Sequence, residues 1–196
     1  MEINREDLVK FENEIKQFEI VKYDDIPDID LYMDQTLAFL NKRLSILKRN
    51  ETDVIITASM INNYVKAGII PAPVSKKYSK RHLAYIVTVC FLKQVLSMNE
   101  IKTLIDYLVE AKGERQSYEY FCNIVKNSLH NCCRLIDIEK TFDVDMDIDN
   151  FSVYFAAKAL ANKIYAEKCI FLQNKSLTEK KIIEIKKELE KNNKND

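Results

Sequence analysis

The side chains best placed for contact chemistry are asparagines, lysines and tyrosines gathered in one stretch, "ITASMINNYVKAGIIPAPVSKKYSKRHLAYI", residues 56–86. Ser59, Asn62, Asn63 and Lys66 recur at i, i+3, i+4 and i+7, so a helix there would carry a hydroxyl, two amides and an ammonium on one face. Two adjacent asparagines in mid-helix cost on the order of a few tenths of a kcal/mol each, which asks for a compensating use. Bidentate bonding of an adenine edge in the major groove is such a use; solvated asparagines with no role are the plain alternative. Beyond the helix, Lys76 and Lys77 could pair with phosphates, while Tyr78 could lie against a sugar or pack the tip onto its own domain. Lys80 and Arg81 would add phosphate contacts, and Lys93 would also face solvent. From Val54 to Asn99 there is no acid against six bases, in a chain whose 30 basic and 30 acidic residues cancel. Such a local excess is the electrostatic footprint of a nucleic-acid surface.

Other chemistry finds little support. His130 lies near Cys132 and Cys133, but the cysteines fall on an apolar face and His130 on the polar one with Asn127 and Arg134, so no metal site is expected. "DVDMDIDN" spaces its carboxylates as a calcium loop would, yet it lacks the glycine and has Tyr154 at the twelfth position; it reads as a linker in which Asp149 caps the next helix. No phosphate-binding glycine loop, catalytic triad or zinc-protease motif is present. The chain is therefore read as a non-enzyme needing no cofactor.

Cys90, Cys122, Cys132, Cys133 and Cys169 form no C-x-x-C pair and suit buried, reduced thiols. The longest apolar run, "LAYIVTVCFL", is about half of a membrane span, and the start, "MEINREDLVKFENE", is charged where a signal peptide is apolar. A soluble cytoplasmic protein without a membrane partner is expected.

The elements that must position these residues are helices, because two glycines and three prolines are too few turn-makers for a large sheet. Leu8, Phe11, Ile15 and Phe18 stripe a first helix ending before Pro27. A second is predicted over 31–47, with Leu37, Leu40, Leu44 and Leu47 inside. Thr57 or Ser59 caps the asparagine helix, whose Met60, Ile61, Tyr64 and Val65 pack inward. Gly68 ends it, Ile69 and Ile70 re-enter the core, and Pro71 and Pro73 prevent its resumption. Ser79 caps a helix burying Leu83, Ile86, Val87, Cys90 and Phe91. Ser97 and Glu100 form a capping box for the next, with Ile101, Leu104, Ile105, Leu108 and Val109 on one face and Gly113 as its stop. Tyr118, Phe121, Cys122, Val125 and Leu129 continue at helical spacing. A central helix is expected over 150–172, and a last one from a capping box at Ser176 and Glu179, with Ile182, Ile185 and Leu189 inside.

"MINNYVKAGIIPAP....KKYSKRHLAYIVTVCFLKQVLSMNEIKTLI" resembles the DNA-binding half of the MerR regulators: a short helix ending in tyrosine, then Gly-Ile-Ile, a proline, a basic wing with tyrosine, and a helix leading to S-x-x-E-I. "IDLYMDQTLAFLNKRL" would supply the first helix of the helix-turn-helix. The chain is most similar to a MerR-like bacterial family of unknown function found in low-GC Gram-positive bacteria, over about Leu31 to Asp106. It departs from the usual pattern in having Asn62 and Asn63 where an arginine and an aromatic are common, and Lys77 in place of a wing arginine.

The spacing and the resemblance together lead to an all-α fold: an N-terminal winged helix-turn-helix with a small wing, which the resemblance implies, and then a C-terminal helical domain, which the break at Gly113 and the helical spacing beyond it suggest in place of the family's long dimerisation helix. Residues 1–27 would form an N-terminal helix, 28–113 the winged unit and 114–196 a helical dimerisation or effector domain. The function expected is sequence-specific binding of double-stranded DNA by a homodimeric transcriptional regulator, through Ser59, Asn62, Asn63, Lys66, Lys76, Lys77, Tyr78, Lys80 and Arg81. Two alternatives are an adaptor that uses the same fold to dock on an acidic protein, and a sensor whose C-terminal aromatics, Tyr154, Phe155 or Tyr165, receive an unknown apolar effector.

Overall fold

A computed structural model describes residues 5–48 and 50–132, together with 158, 159, 162, 163, 178 and 181–187. The expectations for Tyr154, Phe155, Tyr165, Cys133, Cys169, the 143–150 linker, most of the 150–172 helix and the Ser176 cap lie outside the described residues.

The described part is mostly helical. Helix α1 (Arg5–Gln17) is followed by a 3-10 turn (Tyr23–Asp25), strand β1 (Leu31–Tyr32) and α2 (Met33–Arg43). A second 3-10 turn (Ser45–Leu47) begins a long connection to α3 (Ala58–Lys66). Strand β2 (Lys77–Tyr78), α4 (Lys80–Leu92), α5 (Met98–Lys112) and α6 (Glu114–Cys132) complete the order. The strands pair antiparallel, Leu31 opposite Tyr78 and Tyr32 opposite Lys77.

The helix expected over 31–47 is thus shorter at both ends. At its start the Gln35 Oε1 accepts from the Tyr32 N–H at 3.0 Å, closing the N-terminus of α2, while pairing with β2 holds residues 31 and 32 extended. At its end Leu44 leaves the helical path and the chain tightens into the 3-10 turn, which keeps Leu47 half-buried. Leu40 and Leu44 are fully buried, as their spacing predicts.

One core gathers residues from Ile20 to Tyr118. Its centre is α4, whose Leu83, Ile86, Val87, Val89 and Cys90 are inaccessible to solvent. The Ser97–Glu100 capping box forms as predicted, with Glu100 Oε2 accepting from the Ser97 N–H at 2.7 Å. Gly113, at φ +78°, turns the chain from α5 directly into α6, and the core continues across it. The Tyr118 hydroxyl donates to the Val21 carbonyl at 2.7 Å and ties α6 back to the segment after α1. No helix among the described residues is long and apolar enough to cross a membrane. Residues 181–187 are helical, but Ile182 and Ile185, expected inside, are exposed.

Candidate nucleic-acid interface

Helix α3 divides as its spacing predicts. Thr57 is its cap, accepting from the Met60 N–H at 3.3 Å, and Ile61 and Tyr64 are buried. Ser59, Asn62, Asn63 and Lys66 are all exposed. The helix closes with Gly68 at φ +65°: the Gly68 N–H donates to Val65 O and the Ile69 N–H to Tyr64 O, each at 3.0 Å, the paired bonds of a Schellman motif. Ile69 and Ile70 then enter the core.

Two side chains missed in the sequence hold α3 in place. Asn41 on α2 accepts from the Ile55 and Ile56 N–H groups at 3.0 and 3.3 Å and donates to the Ile56 carbonyl at 3.0 Å. It pins the end of the long connection just before α3 begins. Lys93, expected in solvent, is half-buried; its ammonium donates to the Ile55 carbonyl at 2.9 Å and lies 3.8 Å from Met60 Sδ. The signal for neither is local, since each partner lies far along the chain.

The basic tip after α3 is a tight hairpin. Val74 bridges Lys77, with the Lys77 N–H donating to Val74 O at 2.9 Å, and the two residues between them, Ser75 and Lys76, have φ of 50° and 62°. Left-handed conformation at both central residues is the demand of a type I′ turn, ordinarily met by Asn-Gly or Gly-Gly. Here a serine and an exposed lysine meet it.

Of the two roles open to Tyr78, it takes the packing one, and its place among the DNA-contacting residues is corrected: it is 3% exposed, packs edge-on against His82 and anchors the hairpin to its own domain. His82 was overlooked. Its Nδ1 accepts from the Ser79 N–H at 3.1 Å, which puts the ring proton on Nε2, 3.2 Å from the Ala72 carbonyl to which it donates. The S-x-x-H spacing, a capping box with histidine in the glutamate's place, was its signal.

The remaining cations separate into engaged and unengaged. Lys80 is paired with Asp28 at 2.5 Å and lies over the Tyr23 ring; Arg81 is paired with Glu114 and lies over Tyr85. Their expected freedom is corrected, because acids outside the acid-free span reach back to them. Lys77 is half-buried with its ammonium 5.1 Å from the Tyr32 ring centre. Lys66 and Lys76 are exposed and have no ion-pair partner among the described residues. Among the described residues no group of His, Cys, Asp or Glu could hold a metal ion.

Residues 21–125, more than half of the chain and all of the α2 to α5 assembly just described, match the family model described as a domain of unknown function, DUF1836. The chain belongs to the DUF1836 family. No curated protein and no solved structure matches it. The DUF1836 region contains both strands, the α3 face and the hairpin, along with Asn41, His82 and Lys93.

Proposed function

We propose that this DUF1836 protein is a sequence-specific binder of double-stranded DNA, a transcriptional regulator acting as a homodimer. In this reading α2 and α3 are the helix pair of a MerR-like winged helix-turn-helix, and the 74–78 hairpin is its small wing. The exposed face of α3 enters the major groove, where Asn62 and Asn63 read base edges and Ser59 and Lys66 flank them. Lys76 and Lys77 meet the sugar-phosphate backbone.

The observation that carries the reading is Lys76. A non-glycine residue in the left-handed region costs about 1–2 kcal/mol, and strain of this kind is kept where the side chain has a use. Lys76 stands at the tip of a hairpin whose base is fixed by β1, Tyr78 and His82, exposed and with no acid paired to it among the described residues. A phosphate is the partner that this arrangement suits.

The test is selection from a pool of random duplex DNA over several rounds at about 150 mM salt, where nonspecific attraction is weak. A palindromic motif is expected, and gel retardation on it should vanish with scrambled sequence. Binding that is uniform across the pool would remove the reading.

The pairing of Lys80 with Asp28 and Arg81 with Glu114 favours one second reading, an adaptor that docks the hairpin on a protein. That reading needs a partner whose retention survives nuclease treatment and is lost in Lys76→Glu.

A further inference from the structure

The helices α4, α5 and α6 border a partly open cleft of about 40 Å³. Ala84, Ile105, Leu108, Val109 and Phe121 make its apolar walls, and Tyr23 and Tyr118 flank it. Its residues Ile105, Leu108 and Val109 are three of the apolar positions that the sequence assigns to the inner face of α5.

Most polar atoms around the cleft are already engaged. The Thr88 hydroxyl donates to Ala84 O at 3.0 Å, the Ser117 hydroxyl has Leu108 O and Gly113 O as alternative acceptors, each at 2.7 Å, and the Tyr118 hydroxyl donates to Val21 O. Three further polar groups meet one another at the rim. Arg81 pairs with Glu114, and the Tyr85 hydroxyl donates to the same Glu114 Oε1 at 3.3 Å. Two donors on successive turns of α4 therefore converge on one carboxylate at the edge of an apolar cleft. That carboxylate is only partly covered, its side chain being 35% exposed, and it is delivered by the first residue of α6.

We propose that this cleft is a binding site for a short-chain aliphatic monocarboxylate, with the alkyl group between α4, α5 and α6 and the carboxylate on Arg81 and Tyr85 in place of Glu114. Glu114 is then the protein's own occupant of the ligand's anionic position. The guanidinium fork can donate two parallel bonds to a planar carboxylate, and charge-assisted bonds of this type are stronger than neutral ones. A single water needs roughly 10–15 Å³ of such space, so the cleft takes about three or four small apolar groups and excludes a fused ring system. An amine of the same length would have to compete with Arg81 for Glu114 and would leave the guanidinium without its partner. The site stands whether or not the protein binds DNA.

The experiment is a titration of the isotopically labelled full chain followed by amide chemical shifts, with butyrate, 1-butanol and butylamine as probes. Butyrate should give saturable shifts in α4, α5 and α6, with both other probes weaker by about tenfold or more, as expected when one charged hydrogen-bonding group is lost. Glu114→Gln, which weakens the internal competitor at a half-buried position, should bind butyrate several-fold more tightly. Arg81→Gln should bind it at least about tenfold less tightly. Butylamine binding as well as butyrate, butyrate binding unchanged in Arg81→Gln, or no saturable shift in either the unaltered chain or Glu114→Gln would each overturn the proposal. The comparison of the three probes requires no variant, so it decides the matter even if one substitution fails to fold.

Discussion

Lys76 and Lys80 stand one helical turn's worth of sequence apart and have opposite fates. Lys80 spends its charge on Asp28 and Tyr23, whereas Lys76 keeps its own in solvent at the cost of a left-handed backbone. If DNA is the ligand, Lys76→Gln lowers the slope of log K against log salt by about 0.9, the value for one phosphate contact, and Lys80→Gln leaves it unchanged. Lys76→Gly separates strain from function more sharply: urea unfolding should show a gain of about 1 kcal/mol as the strain is relieved, while DNA affinity falls. Asn62→Ala acts differently from both. It should level the preference at one base pair by about 1–3 kcal/mol, read by retardation on single-base operator variants, with the salt slope retained.

At the scale of elements, the two ends of α3 can be tested separately. Its C-terminus depends on the φ of +65° at Gly68, and a Cβ placed there meets nothing within 4 Å. Gly68→Ala should therefore cost only the left-handed penalty, about 1–2 kcal/mol in urea unfolding, with no packing contribution. Its N-terminal approach depends on Asn41, which satisfies two N–H groups and a carbonyl of Ile55 and Ile56. Asn41→Ala leaves these part-buried groups without that partner and should destabilise by about 1–3 kcal/mol. Amide exchange in the variant should rise first at Ile55 and Ile56. A variant as stable as the parent would mean that water replaces the side chain at no cost. Of these two controls, Gly68 was legible in the sequence because the requirement is local. Asn41 was not, since nothing in α2 shows that an amide there meets residues 14 and 15 positions further on.

For the molecule as a whole, the core of the described residues makes stability sensitive to alkali. Burial pushes the Cys90 thiol up from 9.0 to about 11 and the Tyr64 hydroxyl from 10.0 to about 12, and Cys122 is raised by burial to about 11. The folded state holds these protons more tightly than the unfolded one, so their contribution is complete below pH 9 and is lost as pH climbs through the folded values. Urea unfolding measured between pH 7 and 11 should show a plateau and then a decline beginning near 9. Cys90→Ala should be less stable at neutral pH and decline less steeply between 9 and 11. A parallel decline in both proteins would place the sensitivity elsewhere.

The sequence by itself determined the helical class, the capping of α5 by Ser97 and Glu100, the closing of α3 at Gly68 and the division of α3 into an Ile61–Tyr64 side and a Ser59–Lys66 side. These depend on propensity, periodicity and backbone freedom over a few residues, and all of that is written locally. The tertiary structure alone decided which charges remain available. The span from Val54 to Asn99 has no acid of its own, yet Asp28 and Glu114, from outside it, meet Lys80 and Arg81, and a backbone carbonyl takes Lys93. It also decided that Tyr78 faces inward, because pairing of β2 with β1 fixes which side of the strand meets the core. Charge counts along a chain are one-dimensional, whereas Coulombic neutralisation acts through space, so a basic sequence became a surface with Lys66 and Lys76 as its unengaged cations among the described residues.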